Sequence, residues 1–550
     1  MILFASVAVA SVSCNGFLDL QPTDAVTDRL MWSKPEYAEL YVNDFYRYIG
    51  DYSQFSTQQC AYGLTEGLTD MLKYGSSKDN NTGVHYGFMN QFCYGLVGQT
   101  VGSFAFYLSN WSNAYNQIRR INEFLSSMKK YATFDAEQIT RFEAEARFFR
   151  GMVYYELVKR YHQVIVYEED MTQYQKDKPL NSHQESWDIV ERDLTFAAKN
   201  LPQKWDGANA GRVSSYAAWA LLSRAMLYAE RWDVALNAVA EVKKGGFMLM
   251  PGETSAAYAK AFNSTALQGN TEAILDYTYK AGTLEHNFDY YFSPGGDDLT
   301  SAKALGYPTQ EMVEEYEYAG GGEVDWSAWH TQGGTLEVPP YDKLEPRFGA
   351  TVLYNGASWK NRVIEAFEGG KDGWEKTGTI NTNGKTTTGY FLRKLVDETH
   401  TDLVSVKSQH PWIMIRYAEV LLNEAEAAYR QGDIATANAS IREIRKRVGL
   451  SYKDVSGDEL WNAIRKERKL ELAYEGHYFW DMLRWKVFVD EQNGTTVHGF
   501  KITKEGAETR YEYIDCDEQT RTFADRIYQC PIPEGELSNN KLLNQFPEWL

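Results

Sequence analysis

The sequence predicts a mainly α-helical protein that carries a large loop-rich insertion. Apolar residues recur with helical periodicity in much of the chain before residue 245 and again after residue 410. Between these positions the periodicity is lost, and paired or tripled glycines alternate with short β-prone runs. We expect one globular unit at 35–550, with a helical scaffold at about 35–245 and 410–550 and a loop-rich part at about 246–409.

Two helical segments resemble each other at a fixed distance along the chain. Residues 221–236 align without gaps with residues 421–436. Small residues at spaced positions let two helices approach closely, and an aspartate can cap the second helix of each pair. This pattern predicts tetratricopeptide-like helix pairs, although the complete repeat consensus is absent. The identical positions are Leu221 and Leu421, Leu222 and Leu422, Ala225 and Ala425, Asp233 and Asp433, and Ala235 and Ala435.

The charge balance narrows the classes of ligand. The 550 residues include 75 acidic and 56 basic side chains, so the formal net charge is −19. Because no basic cluster interrupts this acidic chain, we expect no nucleic-acid partner. The 38 tyrosines and 15 tryptophans are unusually many. Aromatic faces outside a core stack on sugars or bases, and the acidic balance favours neutral sugars.

The sequence lacks the motifs of phosphate binding and of common hydrolases. It has no phosphate-binding loop, no Gly-x-Ser-x-Gly elbow and no His-Glu-x-x-His, and its nine histidines lack metal-ligand spacing. We therefore expect no cofactor, no metal and no catalytic residue. Asp297 and Asp298 could bind calcium, but acids of a solvated loop are the simpler interpretation. A glycosidase needs two carboxylates roughly 5 to 9 Å apart, which some pair among 75 acids will always satisfy.

The N-terminus has the features of a lipoprotein export signal. Residues 1–13 are apolar or small throughout and end at Cys14. This run is too short to span a bilayer as a helix, which takes about 20 apolar residues. We expect cleavage before Cys14 and attachment of lipid to that residue, with residues 14–34 as a polar tether. A cytosolic chain with an apolar start is the alternative.

Four further cysteines are scattered along the chain. They form no Cys-x-x-Cys, so a zinc site is not expected. In an exported protein two pairings are open, Cys60 with Cys93 and Cys516 with Cys530.

Residues 464–485 concentrate charge among large apolar side chains. Three glutamates fall four residues apart on one helix face, arginines interleave with them, and Gly476 ends or kinks the helix. We expect a buried structural ion cluster. The alternative is a catalytic carboxylate set of Glu471, Glu475 and Asp481. The expected cluster consists of Arg465, Glu467, Arg468, Glu471, Glu475, Asp481 and Arg484.

This stretch resembles the C-terminal signature of the RagB/SusD family, Arg-x-Glu-Arg-x-x-Glu-Leu-x-x-Glu-Gly-x-x-x-x-Asp-x-x-Arg-Trp. The chain departs from the family at Tyr478, where arginine is common. Further resemblances lie at 14–22, where Cys precedes Phe-Leu-Asp and a Pro, at 145–158, and at 531–537 around Pro-Ile-Pro. The matching residues of the signature are Arg465, Glu467, Arg468, Glu471, Leu472, Glu475, Gly476, Asp481, Arg484 and Trp485.

The resemblance implies a non-catalytic glycan-binding lipoprotein at the cell surface. It would be anchored in the outer membrane through lipid, with a scaffold of tetratricopeptide-like helix pairs. It would capture oligo- or polysaccharide and deliver it to a SusC-type TonB-dependent transporter. A secreted or surface glycoside hydrolase that uses a carboxylate pair is the alternative, and an adaptor that binds protein or peptide is a third possibility.

Aromatic residues in polar loops are the candidates for glycan contact. In the family, the glycan site is usually built from exposed aromatics of two chain regions, here 51–102 and 245–410, although no residue-level motif matches there. Because a tryptophan covers a sugar face at low entropy cost, Trp326 and Trp329 are the leading pair. The complete set is Trp326, Trp329, Tyr290, Tyr291, Tyr86, Tyr341 and Trp359.

Overall fold

The computed structural model covers most of the chain. The expected export signal at 1–13, the lipid site Cys14 and most of the tether lie outside the described residues. Within the described part, no helix combines the length and the apolar character needed to cross a membrane. The described residues are 31–75, 86–95, 100–102, 108–297, 305–376 and 384–550.

The scaffold is built from packed helices, which confirms the prediction of a mainly helical fold. Several helices begin at the side-chain caps that the sequence supplies. Asp135 accepts a hydrogen bond from the Gln138 amide at 2.8 Å, and Ser182 forms a capping box with Glu185. The scaffold helices are Pro35–Phe45, Arg47–Asp51, Thr57–Tyr62, Tyr86–Cys93, Trp111–Tyr131, Ala136–Tyr161, His183–Asn200, Ser215–Tyr228, Trp232–Lys243, Tyr417–Arg430, Ile434–Arg447, Gly457–Glu471, Tyr478–Arg484, Phe488–Gln492 and Glu534–Asn539.

The two segments that resemble each other form helix pairs that pack against one another. The pair that begins at Ser215 contacts the pair that begins at Tyr417. They meet at equivalent positions of the alignment, because Asn423 Nδ2 donates a hydrogen bond to Ser223 Oγ at 3.1 Å. Both residues are buried, so this bond fixes the register of the two pairs. The prediction of tetratricopeptide-like helix pairs is confirmed.

The two aspartates that were expected to cap these pairs behave differently. Asp433 precedes its helix and accepts a hydrogen bond from the Thr436 amide at 3.1 Å. Asp233 lies within the first turn of Trp232–Lys243, where it forms no cap. The first of these helices begins ahead of its aspartate, so the capping prediction is wrong for Asp233.

Short two-stranded sheets and short helices organise the loop-rich part. Its two ends are joined, because strand Ala273–Tyr277 pairs antiparallel with strand Trp412–Arg416. The second of these strands lies at the start of the expected helical scaffold at about 410–550, which therefore begins with a strand. Helix Ser255–Asn263 was not predicted either. The remaining strand pairs are Leu72–Tyr74 with Gly306–Pro308, Val352–Tyr354 with Tyr390–Leu392, Ser358–Trp359 with Arg362–Val363, and His498–Glu505 with Glu508–Asp515, and the short helices are Phe288–Phe292, Gln310–Glu314 and Pro346–Thr351.

The expected tether is docked at its C-terminal end. Trp32 is buried, and its ring packs on Phe124 with the centroids 5.2 Å apart. The Thr133 amide donates to the Trp32 carbonyl at 3.1 Å. Trp32, which was expected to belong to the tether, is therefore held against the scaffold.

Neither of the two open disulfide pairings forms among the four described cysteines. The thiols contact backbone carbonyls instead: Cys60 approaches Phe55 O at 3.6 Å, Cys93 approaches Gly67 O at 3.4 Å, and Cys516 approaches Thr387 O at 3.3 Å. Burial raises the pKa of the Cys93 thiol to about 11 and that of the Cys530 thiol to about 12. These cysteines therefore behave as buried, protonated core residues.

Candidate functional site

The carboxylates of residues 464–485 are paired with cations from other parts of the chain. At the centre is Arg416, which is 1% exposed. Its guanidinium contacts Glu272 at 2.7 Å, Glu471 at 2.5 Å and Glu475 at 2.7 Å. Because these acids come from the start of the insertion and from the scaffold, Arg416 joins the two parts.

More cations complete this cluster. Arg347 contacts Glu467 at 2.5 Å, Lys394 contacts Glu475 at 2.7 Å, and Arg447 contacts Glu471. Burial alone would raise the pKa of Glu471, but the neighbouring arginines outweigh it and hold that pKa well below 4.5. We call Glu272, Arg347, Lys394, Arg416, Arg447, Glu467, Glu471 and Glu475 the ion cluster.

The remaining members of the predicted set lie in two other places. Asp481 contacts Arg468 at 2.9 Å and Arg484 at 2.8 Å, in a second buried group. Arg484 also contacts Glu426 at 2.5 Å. Arg465 is separate, because it lies nearer the surface and contacts Glu491 at 2.7 Å. Its expected place inside the buried cluster is wrong, since its side chain leaves the helix on another face.

Gly476 does not end the helix, which stops earlier at Glu471. The chain then turns through Tyr474 and Gly476, which have φ values of +62° and +81°. The Gly476 amide donates to Glu66 Oε1 at 2.9 Å, and a Cβ atom there would lie 2.9 Å from Gln54 Nε2. Both the conformation and the close approach require glycine.

The environment of these carboxylates contradicts the alternative of a catalytic set. A general acid must keep its proton near neutral pH, which requires a raised pKa and access to a substrate. Glu471 and Asp481 are buried and bound to arginines. The pKa of Glu475 is lowered, because Arg416 and Lys394 outweigh the effect of burial. The ion cluster is therefore structural.

The aromatic residues chosen from the loop-rich part are mostly buried. Trp326 is 5% exposed and Trp359 is 1% exposed, and both Trp329 and Tyr341 are buried as well. Trp329 Nε1 donates to Glu337 O at 2.9 Å, and its ring meets that of Trp326 edge to face. These side chains belong to the hydrophobic core that the insertion shares with the scaffold, so the prediction that they are an exposed platform is wrong.

Tyr341 and Trp359 are also engaged by specific partners. The Tyr341 ring stacks on Phe348 with the centroids 5.7 Å apart, and its hydroxyl lies 2.9 Å from the hydroxyl of Tyr390. Trp359 Nε1 lies 2.9 Å from the carboxylate oxygens of Asp297. Neither ring has a free face for a ligand.

Tyr290 and Tyr291 remain partly exposed. They lie on the short helix Phe288–Phe292, and their rings meet edge to face with the centroids 5.2 Å apart. Tyr86 begins the helix Tyr86–Cys93, but its side chain lies outside the described residues. Of the seven aromatic candidates, these two tyrosines are the ones that the structure places at the surface.

The helix that carries the two tyrosines is firmly held. Phe288 and Phe292 are buried and stack on each other with the centroids 4.4 Å apart. The buried Asp289 accepts hydrogen bonds from the Asp397 amide at 2.9 Å and from His400 Nδ1 at 2.8 Å. A rigid support reduces the entropy lost when a ligand binds.

A third tyrosine, missed by the sequence analysis, lies beside them. Tyr279 is partly exposed, and its hydroxyl lies 3.3 Å from Ser53 Oγ. Phe55 packs between Tyr279 and Phe288, at centroid distances of 6.0 and 4.9 Å. Phe55 therefore places Tyr279 close to the helix that carries Tyr290 and Tyr291, and burial raises the pKa of both Tyr279 and Tyr291. We call Tyr279, Tyr290 and Tyr291 the tyrosine face.

The structure contradicts a calcium site at Asp297. Asp297 contacts Arg362 at 2.7 Å and Lys360 at 2.9 Å, so two cations already neutralise its carboxylate. Asp298 lies outside the described residues. In the described part of the chain, no group of acidic, histidine or cysteine side chains is arranged to hold a metal ion.

The tyrosine face is a surface on which a ligand can pack. Its rings offer flat apolar surfaces for C–H groups, and its hydroxyls can exchange hydrogen bonds with a polar ligand. The fold and this face together define a helical scaffold protein with a surface suited to hydroxyl-rich ligands.

Comparisons with known proteins agree with this class. The model of the SusD family matches residues 271–549, and a model described as starch-binding associating with outer membrane matches residues 66–227. The chain belongs to the SusD family.

Individual relatives cover almost all of the chain. It is 22% identical to SusD-like protein P38 of Formosa agariphila over 504 residues, which are 86% of this chain and 88% of that protein. A SusD-like protein of Bacteroides fragilis has a TM-score of 0.80 and 26% identity, with 96% of this chain and 99% of that chain covered. A laminarin-binding SusD-like protein has a TM-score of 0.65 and 22% identity, with 94% and 99% covered. These likenesses establish the fold along the full scaffold and insertion.

The ion cluster gives a prediction about stability. Glu471→Ala would remove one carboxylate from the buried Arg416 and Arg447, which would keep Glu272 as a partner, and breaking such buried pairs costs about 3–5 kcal/mol. Arg465→Ala in the same helix removes a partly exposed ion pair, worth about 0–1 kcal/mol, and a contact with the Trp485 ring. Chemical denaturation of both variants measures the difference. Equal free energies of unfolding for the two variants would show that the ion cluster stabilises the fold no more than the Arg465 ion pair does.

The Asp289–His400 pair gives a prediction about pH. The hydrogen bond to Asp289 raises the pKa of His400 above its usual 6.5. The pair's contribution to stability is therefore complete below about pH 6.5 and is lost as pH rises through the raised pKa. His400→Asn should lower the melting temperature. In this variant the melting temperature should also fall less steeply as the pH rises above about 6.5. His498, whose pKa is also raised because Glu311 and Asp515 outweigh burial, keeps its own contribution in both proteins. An unchanged pH profile in His400→Asn would contradict this role.

Proposed function

We propose that this protein is a cell-surface lipoprotein that captures oligo- or polysaccharide and delivers it to a SusC-type TonB-dependent transporter. The tyrosine face carries this proposal. It is partly exposed, it is rigidly supported by Asp289 and Phe55, and its rings suit the apolar faces of sugars.

Membership of the SusD family supports glycan capture as the task of this face. The family model over residues 66–227 is described as starch-binding. Two structural neighbours are described as a carbohydrate-binding and as a laminarin-binding SusD-like protein. Both neighbours are below 25% identical to this chain, so the glycan bound here is a matter for experiment.

Delivery to a transporter follows from capture without chemistry. A protein that only binds sugar is useful when the sugar is handed on, and the same family model associates its members with the outer membrane. In this proposal lipid at Cys14 anchors the chain, and the segment from Cys14 to the docked Trp32 is the tether. A short flexible tether holds the body near its partner at roughly millimolar local concentration.

Removing the two rings of the helix Phe288–Phe292 should abolish most glycan binding. We expect Tyr290→Ala/Tyr291→Ala to remain folded and to bind its glycan at least about tenfold more weakly, a loss of about 1.4 kcal/mol. Affinity electrophoresis on a panel of polysaccharides measures retention, and the same incubations are examined for cleavage products. Tyr290→Phe/Tyr291→Phe keeps the rings and separates stacking from hydroxyl contacts.

Two control variants test whether the loss of glycan binding comes from the tyrosine face. Tyr131→Ala removes an exposed ring at the end of Trp111–Tyr131 and should leave retention unchanged. Trp326→Ala/Trp329→Ala should destabilise the fold, because truncating each buried aromatic costs about 3–5 kcal/mol. Full retention by the tyrosine variant would refute the proposed site, and release of shortened products would favour a glycoside hydrolase.

Association with a transporter predicts both a complex and a growth phenotype. A permanent complex should bury more than about 2,000 Å², so the protein should co-purify with a barrel partner from membranes in mild detergent. Deleting the gene should abolish growth on the cognate glycan. The tyrosine variant should only raise the glycan concentration that growth requires. Normal growth of the deletion strain, or isolation of the protein without a barrel, would rule out delivery.

A further inference from the structure

A loop of residues 397–408 is bound to the short helix Phe288–Phe292, which carries two of the three tyrosines of the tyrosine face. The Asp397 amide donates to one carboxylate oxygen of the buried Asp289 at 2.9 Å. His400 Nδ1 lies 2.8 Å from the other oxygen of the same carboxylate. Both contacts reach the helix through one side chain, so Asp289 joins the loop to the helix.

Both ring nitrogens of His400 face hydrogen-bond acceptors. Nδ1 faces the Asp289 carboxylate, and Nε2 lies 3.0 Å from the carbonyl oxygens of both Asp402 and Val406. Carbonyl and carboxylate oxygens cannot donate, so each nitrogen makes these hydrogen bonds only as a donor. An imidazole has two N–H donors only when it is charged. The imidazolium is therefore the form of His400 that satisfies all of these contacts.

A second histidine, just before the same helix, has a different set of partners. His286 Nε2 donates to the His410 carbonyl at 3.0 Å, and its Nδ1 accepts from the Phe288 amide at 3.3 Å. One donor and one acceptor suit a neutral imidazole, and burial lowers the pKa of His286 to about 4. Burial also lowers the pKa of His410, whereas the hydrogen bond to Asp289 raises that of His400 above 6.5. His400 is thus the histidine of this group that carries a charge at neutral pH.

The other charged groups around His400 have partners of their own. Lys360 Nζ donates to the His400 carbonyl at 2.7 Å and contacts Asp297 at 2.9 Å. Burial acts to raise the pKa of Asp289, but hydrogen bonds led by that of His400 outweigh it and lower that pKa. The charge on Asp289 therefore depends on the proton of His400. The further titratable groups of the loop are Asp397, which accepts from the Thr399 amide at 2.8 Å, Glu398, which contacts Arg393 at 2.6 Å, Asp402, which accepts from the Ser405 amide at 2.9 Å, and the exposed Lys407.

Loss of the proton from His400 would loosen the helix that presents the tyrosines. A neutral imidazole keeps its bond either to Asp289 or to the loop carbonyls, and a lone pair then faces the other acceptor. The helix has five residues, which is too short to be stable by itself. Its orientation depends on its anchors, which are Asp289 and the stacked rings of Phe288 and Phe292. Because Tyr290 and Tyr291 directly follow Asp289 in the sequence, a shift of this anchor turns both rings.

We propose that His400 is a positioning residue whose proton controls the affinity of the tyrosine face for glycan. The imidazolium holds Asp289, and Asp289 keeps Tyr290 and Tyr291 in the orientation that binds. When the imidazole is neutral, the helix shifts and glycan binds more weakly. Coupling between two binding events is reciprocal, so a bound glycan in turn raises the pKa of His400. This inference rests on the proposed function, because it concerns the regulation of the same face.

The test measures glycan affinity between about pH 6 and about pH 9. We expect the affinity to be highest at the acid end and to fall at least about fivefold as the pH rises through the pKa of His400. The pKa values of Tyr279 and Tyr291 are raised above 10 and that of His286 is about 4, so these groups do not titrate in this window. Isotope labelling of the nine histidines gives a second measurement by NMR. The resonance that is absent from His400→Asn should titrate at a higher pH when glycan is bound.

Two variants of His400 each keep one donor and carry no titratable proton. The amide of His400→Asn takes the place of Nδ1 and can donate to Asp289, whereas the amide of His400→Gln reaches toward the loop carbonyls as Nε2 does. Both should bind glycan as weakly as the unaltered protein does at the alkaline end, with no change across the window. His498→Asn is the matched control, because His498 also contacts two carboxylates, those of Glu311 and Asp515. This control should keep the full pH profile.

The possible failures are distinguishable. Glycan affinity that stays constant across the window in the unaltered protein would refute the control by His400 and leave capture at the tyrosine face intact. A pH dependence that persists in both His400 variants would assign the proton to another group. An equal pKa of His400 with and without bound glycan would also contradict the coupling. If no polysaccharide were retained at any pH, the proposed capture would be wrong, and its regulation by His400 with it.

Discussion

The fold depends on pairing buried carboxylates with cations that arrive from distant parts of the chain. Arg416 stands at the centre, since it contacts Glu272, Glu471 and Glu475 at once. A buried charge without a partner is severely destabilising, so each member requires the others. Because Arg416 ends a strand whose partner is Ala273–Tyr277, the ion cluster also fixes the insertion to the scaffold.

This attachment determines what the surface can offer. The strand Ala273–Tyr277 leads directly to Tyr279, and Asp289 holds the helix of Tyr290 and Tyr291 through His400 and the Asp397 amide. Three partly exposed rings are thereby presented on a supported surface rather than on a free loop. A preorganised surface suits weak capture of long, repetitive ligands, because little order has to be gained when they bind.

The sequence predicted what local patterns determine. Helical periodicity and the repeat that aligns Ser223 with Asn423 are read within short windows or from an alignment. The cations that neutralise Glu471 could not be predicted. They lie far from Glu471 in the sequence, and the spacing of residues along the chain does not indicate such long-range ion pairs. Only the folded structure shows that Arg347 and Arg416 are the partners of Glu467 and Glu471.

The aromatic candidates failed for a related reason. Glycine-rich, polar sequence around Trp326 and Trp359 suggested exposed loops, yet these rings are buried in the hydrophobic core that the insertion shares with the scaffold. The exposure of a side chain depends on tertiary structure, and a large ring in a loop can be buried in the core or exposed to solvent. Tyr279 was missed because nothing in its local sequence separates it from a core tyrosine. Its neighbours Phe55 and Ser53 come from near the N-terminus, more than 200 residues away along the chain.

Hydrogen–deuterium exchange of the full protein, with and without its cognate glycan, tests most directly where the glycan lies. If the glycan lies on the tyrosine face, peptides that cover residues 277–292 gain protection when it is added. Peptides around Trp326 and Trp329 should exchange at the same rate in both conditions. Protection confined to residues 326–359, with no change at 277–292, would contradict the assignment of binding to the tyrosine face.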